Sequence, residues 1–194
     1  MSDLSFASPA RAPWALSVPR GIPLLRANTP ASGPAWRVDT GAFYLEHHSA
    51  EGSRVVQVAL PGDVVGAEVW SAGLYATTVV ALLDSEVSPL EPQGEAQTLR
   101  ALGELAMQHQ RQMARWALLR SGSAGARLQE LLRLLRLSLD ARTRLPALKD
   151  MARVLDAAPE TVCRELTRLR PKARPDAGLI ASTWIHPVSG VLGS

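Results

Sequence analysis

Residues 146–170, PALKDMARVLDAAPETVCRELTRLR, constrain the fold more than any other stretch of this chain. Apolar residues recur at helical spacing on both sides of a short break, Asp156-Ala157-Ala158. Helices this short persist only by crossing and burying their apolar faces together. The first is expected to open at Pro146, a favoured first helical position, and to bury Leu148, Met151, Ala152 and Leu155. Ala152 is small enough for a close crossing. Pro159 opens the second helix, which is expected to bury Val162, Leu166 and Leu169. Its outward face is left with Glu160, Arg164 and Arg168, at i, i+4 and i+8.

A helix-turn-helix has this layout, and it presses its second helix into the major groove of DNA. There a carboxylate such as Glu160 can accept from cytosine N4, and Arg164 or Arg168 can pair bidentately with guanine O6 and N7. Thr161, beside the free amides of a helix N-terminus, is a candidate phosphate contact, as are Lys149 and Thr167. The competing account is a plain helical hairpin whose Glu160 and Arg164 form a surface salt bridge worth about 0.2–0.5 kcal/mol.

Charge favours the DNA account. Residues 1–119 hold 8 Lys/Arg against 11 Asp/Glu, whereas residues 120–175 hold 13 against 6. A basic C-terminal third behind a mildly acidic front suits a polyanion-binding module attached to a sensor or scaffold. The single cysteine, Cys163, excludes an internal disulfide and any cysteine-built metal or iron–sulfur site. No apolar run reaches the roughly 18 residues that a membrane helix needs. The opening MSDLSFASPARAPW lacks the charged start and apolar stretch of a signal peptide, so a cytoplasmic protein with no membrane partner is expected.

Domain organisation follows changes of texture. Residues 1–20, rich in Pro, Ala, Ser and Arg, are expected to form a flexible tail. Residues 21–91 are expected to be all-β, with short strands around Ile22 to Leu25 and in AFYLEHH, RVVQVAL, VVGAEVW and YATTVVALL. Turn residues at 50–52, 61–63 and 72–73 cut these runs, and SAEGSR makes a hairpin tip. After Pro92-Gln93-Gly94 the pattern turns helical. Over 95–120, Leu99, Leu102, Ala106, His109, Met113 and Trp116 fall at spacings of three and four, one stripe on a long helix. A helix of about 25 residues runs about 37 Å, longer than a small domain needs, so a seam with a second copy is expected. SGSAG at 121–125 has a hinge composition. A helix from Arg127 to about Leu139, with Leu128, Leu131, Leu132 and Leu135 inward, opens a last domain over 126–194, and GLIASTWIH reads as a wing.

This order of parts resembles the cyclic AMP receptor/FNR (Crp/Fnr) family of bacterial transcription regulators, over about Gly21 to Ile185. ALPGDVVGAEVW at 59–70 is similar to the family's glycine-flanked turn before the phosphate-binding cassette, and GLI at 178–180 to the strand leading into its wing. APETVCRELTRL at 158–169 is similar to its recognition helix, with Glu160 and Arg164 on base-reading positions and Thr161 on a phosphate contact. The resemblance implies an α+β fold: an N-terminal β jelly-roll of the cyclic-nucleotide-binding kind, a long dimerisation helix and a C-terminal winged helix-turn-helix. It implies a homodimer on double-stranded DNA that reads an inverted repeat with helix 159–169, and an activator that touches RNA polymerase. Gly62, Asp63, Gly66, Glu68, Tyr75 and Ala76 would be the vestige of the effector pocket.

The departures from the family pattern narrow the expectation. Ala67 stands where the ribose-holding Glu would align, with Glu68 one place late, and Tyr75-Ala76 replace the Arg and hydroxyl that clamp the cyclic phosphate. A buried phosphate would then lack its bidentate counter-charge. Binding of cyclic AMP in the family's manner is therefore not expected; no cofactor is, and the effector is unknown or absent. Pro159 replaces a frequent Arg, and Asp156 replaces the turn Gly, which Asp can do because it enters left-handed geometry more readily than most residues. Haem or metal would have to use His47, His48 or His109, but neighbours on a strand point to opposite faces, and His109 reads as a packing or polar-register residue. Cys163 reads as a small space-filler rather than a redox thiol. The alternative function is a small-molecule-responsive sensor or repressor whose β-domain binds an effector other than cyclic AMP. A cupin-like enzyme needs three or four convergent ligands, which His47, His48 and Glu46 do not supply, so no enzyme is expected.

Overall fold

The computed structural model describes residues 15–71, 73–140 and 143–170. The expected wing at 178–186 and the residues around it lie outside them. Eight strands, all paired antiparallel, form two sheets that face each other. The strands are β1 (Leu16–Val18), β2 (Pro23–Leu25), β3 (Ala35–Thr40), β4 (Phe43–Ser49), β5 (Gly52–Ala59), β6 (Val64–Val65), β7 (Thr78–Ala81) and β8 (Ser85–Leu90). One sheet runs β1-β8-β3-β6 and the other β2-β7-β4-β5. The first strand thus falls inside the stretch read as a tail. The hairpin forms where SAEGSR places it, with Ser49 paired to Gly52.

Period-two alternation sets what each sheet buries. On β4, Phe43 and Leu45 enter the core between the sheets with Val18, Val38, Val65, Val79 and Val87. Tyr44 points the other way, into a second cluster that the helices share. β5 carries a bulge: Leu45 pairs with Gln57 but Glu46 with Val55, which leaves Val56 over. Val55 and Val58 therefore both face the helices although they are three apart, while Val56 is 40% exposed.

The run VVGAEVW is only partly a strand. Gly66 sits at φ 75°, ends β6, and starts a short 3-10 helix, Ala67–Trp70. The positive φ favours glycine there, and a Cβ would also lie 2.7 Å from Leu25 Cδ1, which would have to shift.

Four α-helices follow: α1 (Gly94–Arg120), α2 (Ala124–Leu134), α3 (Leu148–Leu155) and α4 (Pro159–Leu169). α2 starts earlier than expected because Ser123 caps it, accepting from the Ala126 amide at 3.2 Å. It ends before Arg136, which takes φ 53°. Pro146 is not the first residue of α3; the cap is Ala147, and Pro146 stands before it. Pro159 does open α4, and Asp156 makes the turn at φ 50°, ψ 55°, the left-handed geometry expected of it. Leu119, Leu128, Leu131, Met151, Val154, Leu155 and Val162 pack with Tyr44, Val58 and Leu82, so a single apolar cluster runs from the outer face of the sandwich into the helical unit.

Candidate nucleic-acid interface

α4 lies on α2 and α3 through Val162 and Leu166, both buried. Gly125 allows the approach: a Cβ on it would lie 2.7 Å from the Glu165 carboxylate. The opposite face presents Glu160, Cys163, Arg164, Thr167 and Arg168, all exposed. Among the described residues Glu160 and Arg164 form no ion pair, with each other or elsewhere, so the surface salt bridge of a plain hairpin is absent. Arg168 reaches Glu165 at 3.9 Å, a contact long enough to give up for a better partner. The Thr167 hydroxyl donates back to Cys163 O at 3.0 Å, and Thr161 is half-buried. Ala158 caps α4 without a side-chain bond, Pro159 has no amide hydrogen and Thr161 N donates to Ala158 O at 3.0 Å, so of the first-turn amides that of Glu160 is the one left for an anion. Cys163 is no space-filler: it has open solvent in front of it because 160, 163, 164 and 167 share one helical face.

Lys149 is exposed, but on a different surface. It lines a cavity of about 890 Å³ between the helical unit and the sandwich, with Arg54, Trp116, Arg120, Arg153, Asp156 and Pro159 among its neighbours. Several polar contacts cross this joint, among them Arg20 Nη1 donating to Leu145 O at 2.7 Å and Arg144 pairing with Asp84 at 3.3 Å at its edge, and three near the cavity. Arg153 pairs with Glu46 at 3.4 Å, the Tyr44 hydroxyl donates to Asp150 Oδ1 at 3.5 Å, and Arg120 pairs with Asp156 at 3.3 Å. Arg120 also donates to Val55 O at 3.0 Å and lies 4.3 Å over the Trp116 ring. Burial holds the Arg120 guanidinium below its usual range, with Asp156 opposing that effect. Burial, then the Asp150 charge, holds the Tyr44 phenol above its usual range, while a hydrogen bond with Arg153 works the other way.

α1 is amphipathic in an unexpected sense. The face turned to the sandwich carries Ala101, Gln108, Gln112, Arg115 and Leu119, mostly polar. Gln108 accepts from Val64 N at 2.7 Å and donates to Val64 O at 2.8 Å, completing the edge of β6 as a strand would. Arg115 pairs with Asp63 at 2.8 Å. The apolar face points outward, with Leu99 62%, Leu102 47% and Met113 57% exposed and Ala106 and His109 also open. Trp116 does not belong to that seam. It is half-buried against the helical cluster under Arg120, since it lies one position from the inward-facing Arg115.

The expected effector vestige is occupied by the chain itself. Tyr75 is 5% exposed and its hydroxyl donates to Ser32 O at 2.8 Å. Glu68 accepts from the Ala76 amide at 3.3 Å, and Gly62 and Gly66 make tight turns at φ 91° and 75°. Asp63 faces α1 instead, 2% exposed, and also accepts from Leu60 N at 3.0 Å. Among the described residues no group of three or more His, Cys, Asp or Glu could hold a metal ion, and no helix is long and apolar enough to cross a membrane.

No protein-family model matches the chain, and no curated protein sequence does. Solved structures do. TTHB099, a transcriptional regulator of the CRP family from Thermus thermophilus, is 26% identical with a TM-score of 0.65, over 80% of this chain and 84% of that one. FixK2 from Bradyrhizobium japonicum is 24% identical with a TM-score of 0.59, over 80% and 83%. The c-di-GMP-responsive global regulator CLP from Xanthomonas campestris is 14% identical with a TM-score of 0.57, over 80% and 86%. The last two speak for the fold alone. With the sandwich, the long helix and the helical unit behind it in the same order, the chain has a Crp/Fnr-like fold and is similar to this group of transcription regulators.

Proposed function

We propose that the chain is a homodimeric, sequence-specific DNA-binding regulator that reads an inverted repeat with α4. The observation that carries this is the pair of unsatisfied faces. α1 spends its polar side on the sandwich and leaves Leu99, Leu102, Ala106 and Met113 outward, which in water calls for a second copy. α4 leaves Glu160 and Arg164 unpaired among the described residues on the opposite side from its packing face. Pairing two α1 helices would put two α4 helices on one duplex, roughly 34 Å or one helical turn apart. Glu160, Arg164 and Arg168 then read bases; Thr161 and Thr167 hold phosphates at the groove edge, and Lys149 reaches a phosphate from the flank. Pro159 leaves one base of the half-site unread where relatives place an arginine.

The regulator works without cyclic AMP: Tyr75 is buried with its hydroxyl on Ser32 O, and Tyr75-Ala76 stand where the resemblance places the Arg and hydroxyl that clamp a cyclic phosphate. Activation through RNA polymerase is supported by the family resemblance alone. Selection from a randomised duplex pool tests the whole proposal. An inverted repeat should emerge, bound by two chains, and adding cyclic AMP should leave the affinity unchanged. Recovery of no preferred sequence would overturn it.

A further inference from the structure

We infer that three of the contacts across the joint, Arg153–Glu46, Tyr44–Asp150 and Arg120–Asp156, form a latch that fixes the attitude of α4 relative to the sandwich and α1 without an effector. The inference rests on α4 being the DNA-reading helix. Asp150 and Arg153 are i and i+3 on α3, neighbours along the helix, and Asp156 is the left-handed cap that follows it. Tyr44 and Glu46 are i and i+2 on β4, on the face that meets α3. Two of the pairs thus match the strand face to α3, and the third joins the end of α1 to the turn between α3 and α4.

The apolar cluster beneath them gives adhesion but little direction, since burial of apolar surface is non-directional. The polar contacts supply register. Glu46 is 6% exposed and keeps the Ser53 hydroxyl of its own sheet as a donor, but Asp150 is 3% exposed, so a helical unit docked one step out of place would carry that buried carboxylate away from the Tyr44 hydroxyl. Arg120 adds the link to the dimer seam. It is the last residue of α1, it holds the β5 edge through Val55 O, and it reaches the turn between α3 and α4. The covalent connection there is only Ser121-Gly122-Ser123, with Gly122 at φ 78°, a segment that would otherwise let the unit swing. In a dimer built on α1, the latch therefore sets the distance between the two α4 helices, and with it the half-site spacing that is accepted.

The test uses the full chain. Spin labels on Cys163, the single cysteine and exposed on α4, and on His47→Cys, exposed on β4, report the attitude of α4 by pulsed electron resonance. Diluted into an excess of unlabelled chain so that each dimer carries one labelled copy, the chain with both labels should give one narrow distance distribution. Arg153→Glu, at a half-exposed position, should leave the circular dichroism of the fold unchanged and broaden or shift the distribution. Glu46→Arg combined with Arg153→Glu should restore it by reversing the pair. If the double variant does not fold, Asp156→Asn on its exposed turn gives the same test through Arg120. On duplexes carrying the selected half-sites, moving them apart by about two base pairs should cost the parent chain about tenfold in affinity and the Arg153→Glu variant under about threefold. An unchanged distance distribution in Arg153→Glu and Asp156→Asn would overturn the latch and leave the DNA proposal standing. A broadened distribution in a chain that selects no DNA would keep the latch and remove the DNA proposal.

Discussion

Leu102→Glu should break the dimer while leaving each chain folded. Leu102 is 47% exposed, so about half of its side chain still waits for a partner. Fully burying a leucine side chain contributes about 1.5–3 kcal/mol, which puts the unburied half at about 1 kcal/mol. In a symmetric seam each substitution counts twice, a loss of about 2 kcal/mol of transfer energy. Two carboxylates would also be carried towards an apolar seam beside Leu99 and Met113, and their desolvation costs at least about 2 kcal/mol more. The total, about 4 kcal/mol, weakens dimerisation by about a thousandfold. Sedimentation velocity over a concentration series measures this directly. Leu118→Glu is the control: Leu118 is 53% exposed but on the flank of the stripe, and it should change the dimer constant by less than about tenfold. The argument fails if Leu102→Glu dimerises like its parent, or if the parent is a monomer at every concentration.

Two further outcomes follow from the same geometry. Asp63→Ala removes the partner of Arg115 and of Leu60 N at a site 2% exposed. Breaking a buried pair costs about 3–5 kcal/mol, but Arg115 is 27% exposed and water takes up part of the loss, so urea unfolding should register about 2–3 kcal/mol. Asp84 is held below the usual carboxylate range, first by the Arg20 backbone amide and then by the Arg144 side chain. A carboxyl with a lowered folded-state value contributes stability above its unfolded value of about 3.9, and loses it as pH falls through the folded value. Asp84→Asn should accordingly be less stable than its parent at neutral pH, and the gap should close on acidification below about 3.9.

Legibility from sequence depended on which signal was read. The hairpin at Ser49–Gly52, the Asp156 turn and the start of α4 at Pro159 each rest on local chemistry, and local chemistry shows in a sequence. VVGAEVW looked like a strand because hydrophobic alternation is blind to a glycine at positive φ, which here converts the run into a 3-10 turn. Apolar spacing found the outward stripe of α1 but could not find its inward face. That face is Gln108, Gln112 and Arg115, which are buried because β6 and Asp63 offer them hydrogen bonds. The same blindness put Trp116 in the seam. Arg120, Glu46, Tyr44 and Asp150 matter only once strand and helix meet, a tertiary fact that no periodicity encodes. Spacing placed Glu160, Arg164, Thr167 and Arg168 on the open face of α4, but not Cys163, whose exposure follows from its i+3 place after Glu160, nor the half-burial of Thr161.

The most direct test of the account is the base preference of Arg164→Ala. Fluorescence anisotropy across duplexes that vary each position of the selected half-site would compare it with the parent chain. The account predicts that Arg164→Ala loses discrimination at one position by about 1–3 kcal/mol while preferences elsewhere persist. Equal affinity and an unchanged preference at every position would contradict it.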